Sequence, residues 1–127
     1  MFLLLNRLIV DALHKSGYVN LTHTENGQEA YEMIRKEKEL GFNFIRFHTF
    51  VPVEEYMQAA DELGILLHVE SPNNTSLADW KESVNFCRRH TSVVIYCCGN
   101  ELQMDDDFIA HLNKCADCVH EETDSMF

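Results

Sequence analysis

The chain has 127 residues, the length of one ordinary domain, and its 46% hydrophobic residues are enough for a core. It carries 21 acidic and 10 basic residues, a net charge of -11. That balance argues against a nucleic-acid partner, which needs clustered Lys and Arg, and against an anionic membrane surface; the acidity itself reads as a solvated exterior.

Residues 1–16 are expected to form an N-terminal helix or a lead-in strand. Leu4, Leu5, Leu8, Ile9, Ala12 and Leu13 fit a helix, and Phe2–Asn6 also fits a strand. Asn6, Arg7 and Asp11 interrupt this stretch and no basic leader precedes it, so it makes a poor signal peptide. No apolar run approaches the ~20 residues needed to span a bilayer. The five cysteines, Cys87, Cys97, Cys98, Cys115 and Cys118, are odd in number and sit in helical or strand patterns, so reduced thiols in a cytoplasmic setting are expected. The Asn-x-Ser/Thr triplets at Asn20, Asn73 and Asn74 then read as chance matches.

Residues 17–127 alternate short apolar runs with helical patterns. Tyr18–Thr22 reads as a strand. Asn26 with Glu29 three residues later marks a capped helix start, Ala30, Met33 and Ile34 supply its stripe, and Gly41 stops it. Phe42–Phe47 is the second strand. Val53, Tyr56, Met57, Ala60 and Leu63 form an amphipathic helix, with Pro52 near its start and Gly64 at its end. Ile65–Val69 is the third strand, and Trp80, Val84 and Cys87 mark the next helix. Ser92–Cys98 is the fourth strand. Asp105, Asp106 and Asp107 then open a helix whose apolar face is Phe108, Ile109, Leu112, Cys115, Ala116 and Val119. The order βαβαβαβα with near-continuous apolar strands predicts an α/β fold: parallel strands covered on both faces and joined by right-handed crossovers.

The strands end in polar residues. The first leads to Asn20 and His23, the second to Arg46 and His48, the third to Glu70 and the fourth to Asn100 and Glu101. One such residue, Arg46 for example, reads as a structural ion pair. Parallel strands bring all these ends to one edge, where reactive groups of α/β folds collect. The set suits polyols or sugars. Asn offers a donor and an acceptor to a hydroxyl, Arg and His add donors, and a Glu in a partly apolar pocket can have its pKa raised enough to act as a general acid.

Gly41-Phe42-Asn43-Phe44-Ile45-Arg46, Ala60-Asp61-Glu62-Leu63-Gly64-Ile65-Leu66 with Glu70 after it, Trp80, His90-Thr91-Ser92-Val93-Val94-Ile95 and Gly99-Asn100-Glu101 occur in that order. From about Gly17 to Glu101 this resembles the catalytic barrel of glycoside hydrolase family 2, the β-galactosidases, β-glucuronidases and β-mannosidases. The resemblance implies a partial (β/α)8 TIM barrel, about the first four βα units, acting on a β-glycoside with retention; no cofactor or metal is expected. Glu101 matches the general acid/base and Asn100 the amide that holds the sugar 2-hydroxyl. Arg46, His48 and Glu70 match the lining of the sugar subsite. The family pattern Arg-x-Ser-His-Tyr-Pro differs from Arg46-Phe47-His48-Thr49-Phe50-Val51-Pro52, and Tyr96 stands where the family often has Trp. In the family the nucleophile closes strand seven; this chain runs one helix past strand four. It is therefore expected to be inactive alone.

Two other readings compete. One is a non-catalytic barrel half that binds sugar, self-associates or packs with a complementary half. The other is a self-contained open α/β domain with a different small-molecule site. His111, Cys115, Cys118 and His120 invite zinc, but Cys115 shares a stripe with Leu112 and Val119, so a core thiol is expected there. Cys97 and Cys98 adjoin the strand end and are expected to pack. No Gly-rich phosphate loop follows any strand.

Overall fold

The computed structural model describes Gly27–Thr123. The predicted 1–16 segment, the strand Tyr18–Thr22 with Asn20 and His23, and the Asn26 cap lie outside the described residues. The elements are α1 (Gly27–Glu39), β1 (Phe44–Arg46), α2 (Glu54–Leu63), β2 (Leu66–Glu70), α3 (Leu77–Cys87), β3 (Val93–Cys97) and α4 (Asp106–Glu122). No helix among the described residues is long and apolar enough to cross a membrane.

Local chemistry sets the boundaries. α1 buries Ala30 and Ile34, one turn apart, and carries Lys36 and Lys38 in its last turn, where the helix dipole favours cations. Gly41 (φ +93°) follows it. α2 ends at Gly64, left-handed at φ 69°, ψ 43°, whose N–H donates to the Ala60 carbonyl at 2.9 Å. Its buried face is Met57, Ala59 and Ala60; Val53, expected on the stripe, is the exposed N-cap instead. α3 starts earlier than Trp80 because Ser76 caps it, accepting the Asp79 N–H at 3.1 Å. In α4, Asp105 is the N-cap and accepts the Phe108 N–H at 2.8 Å.

β1, β2 and β3 lie side by side, in that order and parallel. Phe44, Ile45 and Arg46 sit opposite Leu66, Leu67 and His68, and Glu70 sits opposite Cys97. An irregularity between Leu67 and His68 shifts the β2–β3 register. Neighbours in sequence being neighbours in the sheet, right-handed crossovers put successive helices on one side. Burial agrees. Leu67, Val69, Val93 and Tyr96 point into a core with Ile34, Met57, Trp80, Val84, Cys115 and Val119. On the opposite face Phe44 is 38% and Leu66 45% exposed. The expectation of two covered faces is thus corrected: among the described residues, the helices cover one. Covering the second face from the same sheet would need a reversal of strand order, and the described strands have none.

The core is closed by polar as well as apolar contacts. Trp80 Nε1 donates to the Cys115 carbonyl at 3.0 Å, joining α3 to α4. Cys115 is fully buried, as its place on the α4 stripe predicts. Burial first, and then the hydrogen bond with Cys98, pushes the Cys115 thiol up to about 12. Burial does the same for Cys87, up to about 12.

Candidate functional site at the carboxyl edge of the sheet

Glu70 ends β2, and its side chain is 0% exposed. Its Oε2 accepts from Arg46 Nη2 at 2.6 Å and Nε at 3.2 Å, and its Oε1 accepts from the Thr49 N–H at 2.8 Å. His48 Nδ1 lies 3.3 Å from Oε1. The same Arg46 Nη2 donates to Asn100 Oδ1 at 3.0 Å. One guanidinium, half-exposed at 47%, therefore ties together the ends of three consecutive strands.

The electrostatics follow from these contacts. Burial alone would raise the Glu70 pKa, but the Arg46 hydrogen bonds, the Thr49 N–H and the charges of Arg46 and His48 outweigh it and hold the carboxyl below its usual range. Glu70 is therefore an ionised carboxylate that orients Arg46. Glu70 raises the Arg46 pKa in turn, with smaller contributions from Cys97 and Glu101. His68, one turn of pleat behind Glu70 on the same face, is lowered by burial and by the Arg46 charge. Its Nε2 is buried without a hydrogen-bond partner.

Backbone strain collects at the same edge. The non-glycine residues with positive φ among the described residues are Thr49 (55°), Asn74 (62°) and Glu101 (49°). Each lies in a loop leaving the carboxyl end of a different strand. Such conformations cost roughly 1–3 kcal/mol each and gather where function fixes the backbone. Gly99 (φ +93°) leads into the last of these loops. A Cβ there would sit 2.9 Å from Asn73 Oδ1, the atom that accepts the Asn100 N–H at 2.8 Å.

Of the residues expected at the site, Arg46, Glu70 and Asn100 converge in one hydrogen-bonded cluster, with the His48 ring beside Glu70. Glu101 comes next in the chain, exposed, and lines a cleft of about 310 Å³ with Cys97, Leu102 and Phe108. Thr49, His68 and Asn73 were not anticipated. Alternation along Leu66–Glu70 would have placed His68 beside Glu70; nothing local announces a backbone N–H donor at Thr49. His68, Glu70 and Cys97 bring three possible ligand atoms within 4.8 Å of one another. Both Glu70 oxygens are already engaged, one of them by a guanidinium, so a cation there would compete with a fixed positive charge.

A second carboxylate cluster lies at the opposite edge. Asp61 of α2 accepts the Ser92 N–H at 2.8 Å, and its Oδ2 lies 2.7 Å from His90 Nδ1. Burial raises the Asp61 pKa, but the Ser92 and His90 bonds outweigh it and the net shift is downward. These residues belong to two of the sequence pieces quoted above, Ala60–Leu66 and His90–Ile95. Their shared role is to fasten the start of β3 to α2.

No protein-family model matches the chain, and no curated protein matches it in sequence. Its fold recurs in solved structures. A β-glucuronidase from Ruminococcus gnavus, in complex with D-glucuronic acid, aligns with a TM-score of 0.71 at 20% identity, over 86% of this chain and 22% of that one. A β-glucuronidase from Parabacteroides merdae aligns at 0.65 and 23% identity, over 80% and 15%. An exo-chitosanase from Amycolatopsis orientalis aligns at 0.64 and 17%, over 82% and 14%. The chain thus shares its fold with a stretch of these proteins and spans about a fifth of their length or less. That agrees with the resemblance carried by its sequence pieces.

Proposed function

We propose that residues 17–127 are the amino-terminal part of a (β/α)8 glycosidase barrel of glycoside hydrolase family 2, preceded by 1–16, and that the carboxyl edge is its sugar site. The observation that carries this reading is the bridge from Glu70 through Arg46 to Asn100. It joins three successive strand ends at the edge where barrels keep their chemistry. In this reading Arg46 and Asn100 donate to sugar hydroxyls, Glu70 and His48 position Arg46, and Glu101 is the general acid/base of O-glycosyl hydrolysis. The uncovered sheet face, with Phe44 and Leu66, would be the barrel interior.

The chemistry also needs a partner for Glu101. Retention requires a second carboxylate about 5–5.5 Å from the first, acting as nucleophile. We assign that group to the remaining βα units. The chain alone then gives no turnover of aryl β-glycosides, and the chain joined to those units does. In the completed barrel Glu101→Gln should lower turnover by about 10²–10⁴-fold, the usual contribution of a general acid/base. Equal turnover by both forms would remove Glu101 from the mechanism.

The exposure of Phe44 and Leu66 favours a second reading, a non-catalytic half that associates through this face. Self-association of the isolated chain that Leu66→Lys abolishes, with no turnover on completion, would select it.

A further inference from the structure

We propose that Cys98, His111 and Cys115 form a site for a thiophilic metal ion, with Zn2+ as the reference, distinct from the polar cluster at the strand ends. Cys98 follows β3 directly. His111 and Cys115 stand four residues apart on α4, so they share one face of the helix one turn apart. Cys98 Sγ lies 3.5 Å from Cys115 Sγ, and Cys115 Sγ lies 3.5 Å from His111 Nε2. All three donor atoms fall within 4.8 Å of one another.

These separations can be set against the metal's own geometry. With Zn–S of about 2.3 Å and Zn–N of about 2.0–2.1 Å, the donors of a tetrahedral site stand about 3.5–3.8 Å apart. Two of the three edges are already near that length. The set contains no carboxylate, which excludes the hard ions Ca2+ and Mg2+ and favours zinc or another ion with affinity for thiolate. Cys98 and Cys115 are buried, so the sulfurs sit in a dry environment, while His111 is half-buried and leaves an approach. A cleft lined by Phe108 and Leu112 also has Cys98 in its wall.

The set differs from the cluster that sequence spacing suggested. Cys118 and His120 are not among the grouped donors, and Cys98, remote in sequence, replaces them. Three protein ligands leave one tetrahedral position for water or another small ligand. A bound ion would pin the Cys98–Glu101 loop to α4.

The test is a titration of the full, reduced chain with Co2+, followed optically. Sulfur-to-cobalt charge transfer and tetrahedral d–d bands that saturate at one equivalent, and that one equivalent of Zn2+ displaces, are expected. Cys98→Ser should remove much of the charge-transfer intensity. His111→Gln, a half-buried position that tolerates the change, should keep charge transfer but weaken Zn2+ binding at least tenfold. Cys118→Ser and His120→Gln should change neither. A weak octahedral spectrum without charge transfer, or bands and affinity untouched by Cys98→Ser and His111→Gln, would overturn the site.

Discussion

At the amino edge of the sheet, Asp61 receives a backbone N–H from Ser92 and faces His90; at the carboxyl edge, Glu70 receives a backbone N–H from Thr49 and two nitrogens of Arg46. Both carboxylates are held below their usual range, and both are fully engaged. The difference lies in what surrounds them. The amino edge relaxes its turns with Gly41 and Gly64, and the Asp61 partners sit close around the start of β3. The carboxyl edge puts Thr49, Asn74 and Glu101 at positive φ, and its side-chain nitrogen partners, on Arg46 and His48, face solvent. A satisfied carboxylate is therefore not in itself a functional sign. Convergence of strain and open donors on one edge is the sign that separates the two.

The comparison breaks most directly at Asp61. Asp61→Ala strands the Ser92 N–H and the buried His90, and should cost roughly 1–3 kcal/mol of stability by urea denaturation. The amide resonances of Arg46, Thr49 and Asn100 should stay in place. Movement at those resonances would mean that the two edges are coupled.

Gly99→Ala probes the other edge. Strain at φ +93° and the crowding of Asn73 should cost about 1–2 kcal/mol. Here the Asn100 amide resonance should shift while those of His90 and Ser92 do not. A neutral substitution would show that the Asn73–Asn100 contact is not needed to hold the loop.

Acid should produce the smallest and most graded effect. Asp61 and Glu70 both have folded pKa values below the unfolded references of 3.8 and 4.5. Their contribution is fully present above those references and is lost as pH falls through the folded values, because the unfolded chain binds protons first. Denaturation midpoints should therefore drop from pH 6 to pH 3. Glu70→Gln should flatten part of that slope and leave the part due to Asp61. An unchanged slope would remove Glu70 from the acid response.

Much of this was legible in the residues. Glycine stops, apolar stripes and the switch between helical and extended patterns located β1, β2 and β3 to within two residues, because backbone preference and side-chain period act locally. Arg46, His48, Glu70 and Asn100 were each marked by their place at a strand end. Other features depended on distance. That Arg46 reaches both Glu70 and Asn100 depends on strand order and register. That His68 lies behind Glu70 depends on which face is covered. Thr49 enters as a backbone donor, which no residue type records.

By itself, then, the sequence determined the alternation of strands and helices, the polar character of one sheet edge and the burial of residues such as Cys115 and Trp80, all set by short-range pattern and hydrophobicity. Only the tertiary structure decided which polar ends meet, that the described helices cover one face, that Glu70 is an ionised clamp on Arg46, and that Cys98 joins His111 and Cys115. Those outcomes arise between segments tens of residues apart, where packing and long-range hydrogen bonds override local signals.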